Sequence, residues 1–128
     1  MKKFIILLFV MFISLPCFAT NWVEYAYKSY IDIDSIEYKG LYKRAWFKIL
    51  NDGNMQPLKG QKIWYQMQYV YANCSTDEIA TQDVTSYSLN KQVLDNYSVP
   101  YNFLNFFHTP PETVGRNKHD ILCNPYNI

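Results

Sequence analysis

The stretch Ile63-Trp-Tyr-Gln-Met-Gln-Tyr-Val-Tyr-Ala-Asn-Cys74 decides the fold. It contains neither glycine nor proline and is rich in aromatic and branched side chains, which is typical of a long β-strand. Side chains alternate between the two faces of a strand. One face therefore carries Ile63, Tyr65, Met67, Tyr69 and Tyr71, and the other carries Trp64, Gln66, Gln68, Val70, Ala72 and Cys74. Because neither face is strongly polar, we predict a central strand that is covered on both sides.

The first nineteen residues are typical of a secretory signal. Met1-Lys2-Lys3 is basic, and residues 4–15 form an apolar run that only Ser14 interrupts. Cys17-Phe18-Ala19 then places small residues at the two positions that a leader peptidase recognises. We predict cleavage after Ala19 and a single exported domain over residues 20–128.

This segment has two other interpretations. The apolar run is shorter than the roughly 20 residues that span a bilayer, which disfavours a membrane anchor. A lipoprotein is an alternative, with lipid on Cys17, although Pro16 fits the lipoprotein pattern poorly. We therefore expect membrane attachment only if Cys17 is lipidated.

Two cysteines, Cys74 and Cys123, remain in residues 20–128. An even pair in a small exported domain favours one disulfide, with two buried thiols as the alternative. A redox pair is disfavoured because the Cys-x-x-Cys spacing is absent. The same residues contain ten basic and eleven acidic side chains. This near-neutral balance offers no electrostatic basis for binding nucleic acid.

Alternation along the rest of the chain predicts an antiparallel sheet. Further strands are expected at residues 22–27, 36–38, 41–50, 78–88 and 92–99. Residues 29–36 are left open between an extended segment and a short strand with a turn. Gly40 marks a tight hairpin turn, and Asn51-Asp-Gly-Asn54 opens a polar loop.

The end of the chain predicts a helix. Thr109-Pro-Pro-Glu112 resembles a helix start, with Thr109 as the N-cap and the helix running from about Pro110 to Leu122. A helix of this length is marginal alone and needs a surface to lie on. We predict an α+β fold, in which an antiparallel sheet of about six strands carries one C-terminal helix on one face, tethered by a Cys74–Cys123 disulfide.

The sequence offers little support for catalysis. His108 and His119 are interpreted as ordinary surface histidines, and Asp32 and Asp34 as turn residues that accept backbone hydrogen bonds. No serine, cysteine or aspartate stands in a recognisable nucleophile motif. We predict no enzyme activity, no cofactor and no metal site.

The aromatic content favours a contact surface. Residues 20–128 contain twelve Tyr, three Trp and four Phe, and tyrosine and tryptophan are favoured at interfaces. Tyr65, Tyr69 and Tyr71 are the candidate protein-binding or dimer residues. The alternative is that they pack beneath the helix or beneath the phenylalanines at positions 103, 106 and 107.

Basic residues around the first hairpin form a second candidate. Lys43 and Arg44, with Lys39 and Lys48 nearby, are positioned to meet an acidic protein partner. The alternative is that these charges serve only solubility and protection of a sheet edge.

Several motifs spread over the chain resemble one family. These are Tyr30-Ile-Asp-Ile-Asp-Ser-Ile36, Ala45-Trp-Phe-Lys48, Tyr71-Ala-Asn-Cys74 and a terminal Cys123 after a proline-led segment. Together they resemble the surface-adhesin E-like domain of exported Gram-negative proteins. That resemblance implies a six-stranded antiparallel sheet, a disulfide-tethered helix on the concave face, and a homodimer. It also implies binding of host matrix or serum proteins such as vitronectin, laminin and plasminogen.

The predicted function is an exported, non-enzymatic binding protein that contacts host or envelope proteins. The alternative is a periplasmic accessory or inhibitor protein that acts on an envelope enzyme.

Overall fold

A computed structural model of the chain describes residues 20–126. The predicted signal, residues 1–19, lies outside these described residues. The strands are Trp22–Ala26 (β1), Ser29–Asp32 (β2), Glu37–Lys39 (β3), Tyr42–Leu50 (β4), Ile63–Asn73 (β5), Glu78–Ser88 (β6), Val93–Ser98 (β7) and Phe107–His108 (β8). The helix is Val114–Cys123 (α1), and short 3-10 turns occupy Ile33–Ser35 and Tyr101–Phe103.

The strands form one antiparallel sheet in the order β1-β2-β4-β5-β6-β7. β3 pairs with the first residues of β4, and β8 pairs with the first residues of β6. The stretch from Ile63 is the central strand, as predicted, with β4 and β6 on either side. The prediction that both of its faces are covered was wrong at Tyr65 and Tyr69, because α1 packs only on the face of Val70 and Ala72. The sheet has eight strands rather than about six. The difference lies in β2, which the sequence left open, and in the two-residue β8, which is too short for alternation to reveal.

A β-bulge at Gln82 interrupts the pairing of β5 with β6. Tyr69 lies opposite Asp83, whereas Val70 lies opposite Thr81, so Gln82 is an extra residue on β6. Such a bulge bends the strand and increases its local twist. The side chain of Gln82 accepts a hydrogen bond from the Tyr71 hydroxyl at 2.8 Å. The bulge therefore also supplies a hydrogen-bond partner for the buried Tyr71.

The helix packs across one face of the sheet. The buried cluster beneath it takes one or two residues from each of four strands and two from α1: Ile31, Ala45, Phe47, Val70, Ala72, Ile79, Ile121 and Leu122. Gly115 permits the close approach at the start of α1, because a Cβ there would lie 3.2 Å from the Thr109 methyl group. Neither the ten-residue α1 nor any other helix within residues 20–126 is long and apolar enough to cross a bilayer.

The helix begins later than predicted. Its N-cap is Thr113, whose hydroxyl accepts from the Arg116 amide at 3.2 Å, and not Thr109. Thr109 and Pro110 each precede a proline, which disfavours the helical conformation at both. Glu112 then adopts a positive φ of 63°. Thr109 is instead buried, and its hydroxyl donates to the Asp77 carbonyl at 2.6 Å, which fixes the chain beside the start of β6.

The predicted Cys74–Cys123 disulfide is present, with the two Cα atoms 5.7 Å apart. It joins Cys74, the residue directly after β5, to the last residue of α1. Lys43 donates to the Cys123 carbonyl at 3.3 Å, which places a cation at the negative end of the helix. At the other end of α1, Arg116 pairs with Asp77 and donates to the Thr109 carbonyl at 2.8 Å. Both ends of the helix are therefore fixed to the sheet.

His119 is buried, so the prediction of a surface histidine was wrong. Its Nε2 lies 2.9 Å from the Asn73 carbonyl oxygen and 2.7 Å from that of Thr76, and its Nδ1 lies 3.0 Å from the Asp120 carboxylate. All three partners accept hydrogen bonds, so the doubly protonated ring satisfies them best. Burial lowers the pKa of His119, but the hydrogen bonds to Asp120, Asn73 and Thr76 outweigh burial and leave the pKa above its ordinary value.

We predict that replacing both Cys74 and Cys123 with serine lowers the free energy of unfolding by about 4 kcal/mol, from the chain entropy of a loop with a sequence separation of 49. Guanidinium unfolding of the oxidised protein and the double variant measures the difference. A loss below about 1 kcal/mol would show that the packing of α1, rather than the covalent link, holds the helix in place.

We also predict that protonated His119 stabilises the fold. Because its folded pKa is raised, this contribution is fully present below the unfolded pKa of about 6.5 and disappears as the pH rises through the folded value. His119→Ala should lose about 1–3 kcal/mol at acidic pH by leaving carbonyl groups unpaired. Urea unfolding across this pH range measures both effects, and His108→Ala, at an exposed position, serves as the control. An unchanged pH profile in His119→Ala would contradict the assignment.

Candidate functional site

The sheet face opposite α1, here the open face, carries a continuous set of aromatic and cationic side chains. The strand register places Arg44, Trp46 and Lys48 of β4 on this face, beside Tyr71, Tyr69 and Met67 of β5. Trp22 of β1 and Tyr87 of β6 extend the set to either side. We call Trp22, Trp46, Tyr65, Tyr69 and Tyr87 the aromatic surface, and each of them is half-buried.

The rings of the aromatic surface stack across neighbouring strands. Trp46 stacks on Tyr69 with ring centroids 4.7 Å apart, and Tyr65 stacks on Tyr87 at 4.8 Å. Each pair joins residues that lie directly opposite each other in the sheet. Cross-strand aromatic pairs of this kind stabilise a sheet and hold each ring in one orientation. The surface is therefore pre-organised before any partner binds.

Arg44 is held on the open face by contacts with Glu37, Tyr71 and Tyr69. Its Nε donates to the Glu37 carboxylate at 2.6 Å, and its Nη1 donates to the Tyr71 hydroxyl at 2.9 Å. The Tyr69 hydroxyl donates to the same Glu37 oxygen at 3.2 Å. The guanidinium also lies 5.5 Å from the Tyr69 ring centroid, within cation–π range. These contacts hold Arg44 against the edge of the aromatic surface.

The hydrogen bonds among Arg44, Glu37, Tyr69 and Tyr71 shift the pKa values of three of these side chains. Hydrogen bonds from Arg44 and then from Tyr69 lower the pKa of Glu37. Burial raises the pKa of Tyr69 to about 12, and the hydrogen bond to Glu37 adds to that rise. The hydrogen bond to Tyr71 raises the pKa of Arg44. At neutral pH the site therefore presents a fixed cation, a fixed anion and neutral phenols.

Lys48 supplies a second cation on the open face. Its Nζ lies 4.6 Å from the Tyr65 ring centroid and 6.0 Å from that of Trp22. Beside it is a shallow groove of about 270 Å³, whose lining residues are Thr20, Trp22, Asp32, Trp46, Met67, Thr85 and Tyr87. An apolar floor with a few polar groups at its rim is the usual composition of a protein contact site.

Tyr71 is fully buried and offers no surface to a partner. The Tyr101 ring lies over it at 5.8 Å, and Phe106 stacks on Tyr42 nearby at 4.5 Å. Residues 101–106, here the connector, therefore cover one end of the open face. The open face is thus covered at that end and remains accessible at Tyr65 and Tyr69.

The structure separates Lys43 from Arg44. Lys43 lies on the helix-covered face, where its Nζ contacts the Cys123 carbonyl and lies 5.3 Å from the Tyr38 ring centroid. The two residues thus belong to different surfaces, as their adjacent positions on one strand require. Of the predicted binding residues, Tyr65, Tyr69 and Arg44 are brought together on the open face, while Lys43 lies behind the sheet.

The helix-covered face contains a desolvated lysine, Lys118, which contacts β5. Its Nζ donates to the Gln68 side chain at 2.6 Å, and Gln68 donates in turn to Gln66 at 3.2 Å. Burial lowers the pKa of Lys118 to about 8. These hydrogen bonds pair the polar groups that lie between α1 and β5, and they help to hold the helix on the sheet.

Asp32 and Asp34 form a turn, as predicted. Asp32 accepts from the backbone amides of Asn21 and Asp34, both at 3.1 Å. No group of three or more His, Cys, Asp or Glu side chains within residues 20–126 is arranged to hold a metal ion. A larger cavity of about 470 Å³ lies at the other end of the sheet, between the loop after β4 and Trp64, and it contains none of the predicted binding residues.

Sequence reasoning missed four members of the site: Trp22, Trp46, Tyr87 and Glu37. Trp46 is two residues after Arg44 on the same strand and therefore shares its face, so pairing that strand with Ile63–Cys74 would have identified it. Glu37 and Tyr87 join the site only through the register of β3 and β6, which a single sequence does not reveal.

Neither the models of known protein families nor the curated protein sequences contain a match to the chain. Solved structures of Haemophilus influenzae protein E are similar to it. Crystal form II aligns with a TM-score of 0.57 and 15% identity, over 84% of this chain and 90% of that one. Another protein E structure aligns with a TM-score of 0.53 and 18% identity, over 77% and 79%. The protein from non-typeable H. influenzae aligns with a TM-score of 0.53 and 15% identity, over 80% and 74%. The likeness to protein E predicted from the motifs is confirmed at the level of the fold.

We predict that Glu37 titrates below the ordinary glutamate value of about 4.3 and that Arg44→Met moves its pKa back towards that value, because the largest stabilising hydrogen bond is lost. Carbon-detected NMR titration of the Glu37 carboxyl measures the shift. Tyr69→Phe should cause a smaller rise. Arg116→Met, which removes a cation from α1, is the control and should leave Glu37 unchanged.

Proposed function

We propose that the chain is an exported, non-enzymatic binding protein whose open face is a contact surface for another protein. The observation that carries this proposal is the pre-organised aromatic surface with its fixed Arg44 and the half-buried cation Lys48. Tyrosine, tryptophan and arginine are the residues that most often dominate binding energy at protein interfaces. A rigid surface of this kind loses little conformational entropy when a partner binds.

The fold is a second observation that supports the proposed binding role, because it favours an adhesin-like protein. The chain resembles surface-adhesin E-like domains in its motifs, and protein E of H. influenzae shares its fold. Host matrix or serum proteins and envelope proteins are therefore the proposed partners. A homodimer formed through the open face is part of the same proposal, because a twofold pair would bury the same aromatic surface.

A periplasmic accessory or inhibitor protein is the second candidate. The same open face would then contact an envelope enzyme instead of a host protein. Protease treatment of intact cells distinguishes the two roles, because it removes a surface-displayed protein and spares a periplasmic one. Mass measurement of the native protein would report cleavage after Ala19 and any lipid on Cys17.

The open face can be tested by site-specific photocrosslinking in the cell that makes the protein. A photoreactive phenylalanine analogue at Tyr69 should crosslink a partner, whereas the same analogue at Tyr97 should not. Tyr97 is a matched control because it is exposed and lies opposite Val84, on the helix side of the sheet. A product of twice the chain's mass would identify the partner as a second copy.

With the crosslinked partner purified, Tyr69→Ala should weaken its binding at least tenfold, and Tyr97→Ala should leave it unchanged, since a central aromatic residue contributes about 2 kcal/mol or more. Calorimetry measures the affinities, and circular dichroism confirms that both variants fold. Equal crosslinking from both positions, or no effect of Tyr69→Ala, would refute the open face as the contact surface.

A further inference from the structure

The end of the sheet that carries the disulfide also carries exposed apolar side chains that the open face does not use. Leu41, at the tip of the β3–β4 hairpin, is 85% exposed, and Tyr38 beside it is 75% exposed. Phe103 of the connector is 76% exposed. A single exposed apolar side chain is ordinary, but several together mark an interaction site.

The hairpin tip and the connector are adjacent. Lys39 Nζ lies 5.4 Å from the Tyr101 ring centroid, and a Cβ on Gly40 would lie 4.0 Å from the Tyr101 hydroxyl. Tyr42 stacks on Phe106 at 4.5 Å. Phe103 lies between these two contacts along the chain. Leu41, Tyr38 and Phe103 therefore belong to one end of the molecule, here the apolar tip.

The charge around the apolar tip is positive. Residues 37–44 contain Glu37, Lys39, Lys43 and Arg44, and Glu37 pairs with Arg44, so Lys39 and Lys43 carry the net positive charge. Residues 99–111 contain no aspartate, glutamate, lysine or arginine. Asp77, directly before β6, and Glu78, its first residue, lie at the same end. Asp77 pairs with Arg116, and the Glu78 carboxylate accepts from the Thr76 hydroxyl. The hairpin thus supplies the cations of the apolar tip, and the hairpin and the connector both supply apolar groups.

We propose that the apolar tip inserts into the surface of a bilayer that contains anionic phospholipid. Leu41 lies in a turn, Tyr38 in the short strand β3 before it and Phe103 in the connector, at an end of the domain that can approach lipid headgroups. Aromatic rings are favoured at the headgroup level, and lysines flanking an apolar group are attracted to anionic lipid. The folded domain would make this contact itself, with or without lipid on Cys17, and it uses a different surface from the open face.

Vesicle sedimentation tests the proposal, using the purified chain from Thr20 and vesicles of phosphatidylcholine with or without phosphatidylglycerol. The protein should bind only the vesicles that contain phosphatidylglycerol, and binding should weaken as salt rises. Leu41→Ser and Phe103→Ser should each reduce the partition coefficient about tenfold, since each removes a side chain that would leave water. Lys39→Glu should reduce it as well.

Matched controls lie at the other end of the sheet. Leu89 is 65% exposed in the turn after β6, and Lys62 is exposed before β5. Leu89→Ser and Lys62→Glu should leave the partition coefficient unchanged. Tyr69→Ala should also leave it unchanged, which separates this proposal from the proposed function. No binding to anionic vesicles, equal binding to neutral ones, or equal losses in the Leu89 and Leu41 variants would overturn it.

Fluorescence gives a second measurement. Leu41→Trp should show a shift of emission to shorter wavelength and quenching by brominated phosphatidylglycerol, and Leu89→Trp should show neither. The three native tryptophans give the same background in both variants. Equal responses from the two positions, or none from position 41, would refute insertion of the tip.

Discussion

The attachment of α1 to the end of β5 is the constraint on which the rest of the structure depends. A disulfide and a buried histidine act at the same place, because Cys74 and the carbonyl of Asn73 are adjacent in the chain and both are joined to the last turns of the helix. The helix would be marginal alone, and the sheet face beneath it is apolar. Each therefore stabilises the other, and the covalent link fixes which face of the sheet the helix covers.

One helix cannot cover two faces of a sheet, and this asymmetry creates the candidate site. The face opposite α1 holds its own side chains in place through stacked rings and through Arg44, rather than through a second layer. The result is a surface that is ordered although it is half exposed. Contact with another molecule is one way in which such a surface gains burial, which is why the proposed function lies on this face and not beneath the helix.

The sequence predicts most of the strands because their signals are local. Alternation and turn residues located β4, β5, β6 and β7 to within one residue or so, and the cysteine count predicted the disulfide. The start of α1 was missed because the two consecutive prolines were interpreted as a first turn, when each excludes the residue before it from a helix. His119 was misplaced because its burial depends on carbonyl groups 43 and 46 residues away. The burial of Tyr71 likewise depends on the connector, which returns from a distant part of the chain.

The extra residue at Gln82 shifts the alternation of side chains along β6 by one position. Before it, odd-numbered residues such as Ile79 and Thr81 lie on the helix side; after it, even-numbered residues such as Val84 and Ser86 do. Deleting Gln82 would leave a strand of regular alternation in which one half presents the wrong side chains to the core. The length of this strand is therefore constrained as strictly as its composition, and insertions or deletions in its middle should be tolerated less than most single substitutions there.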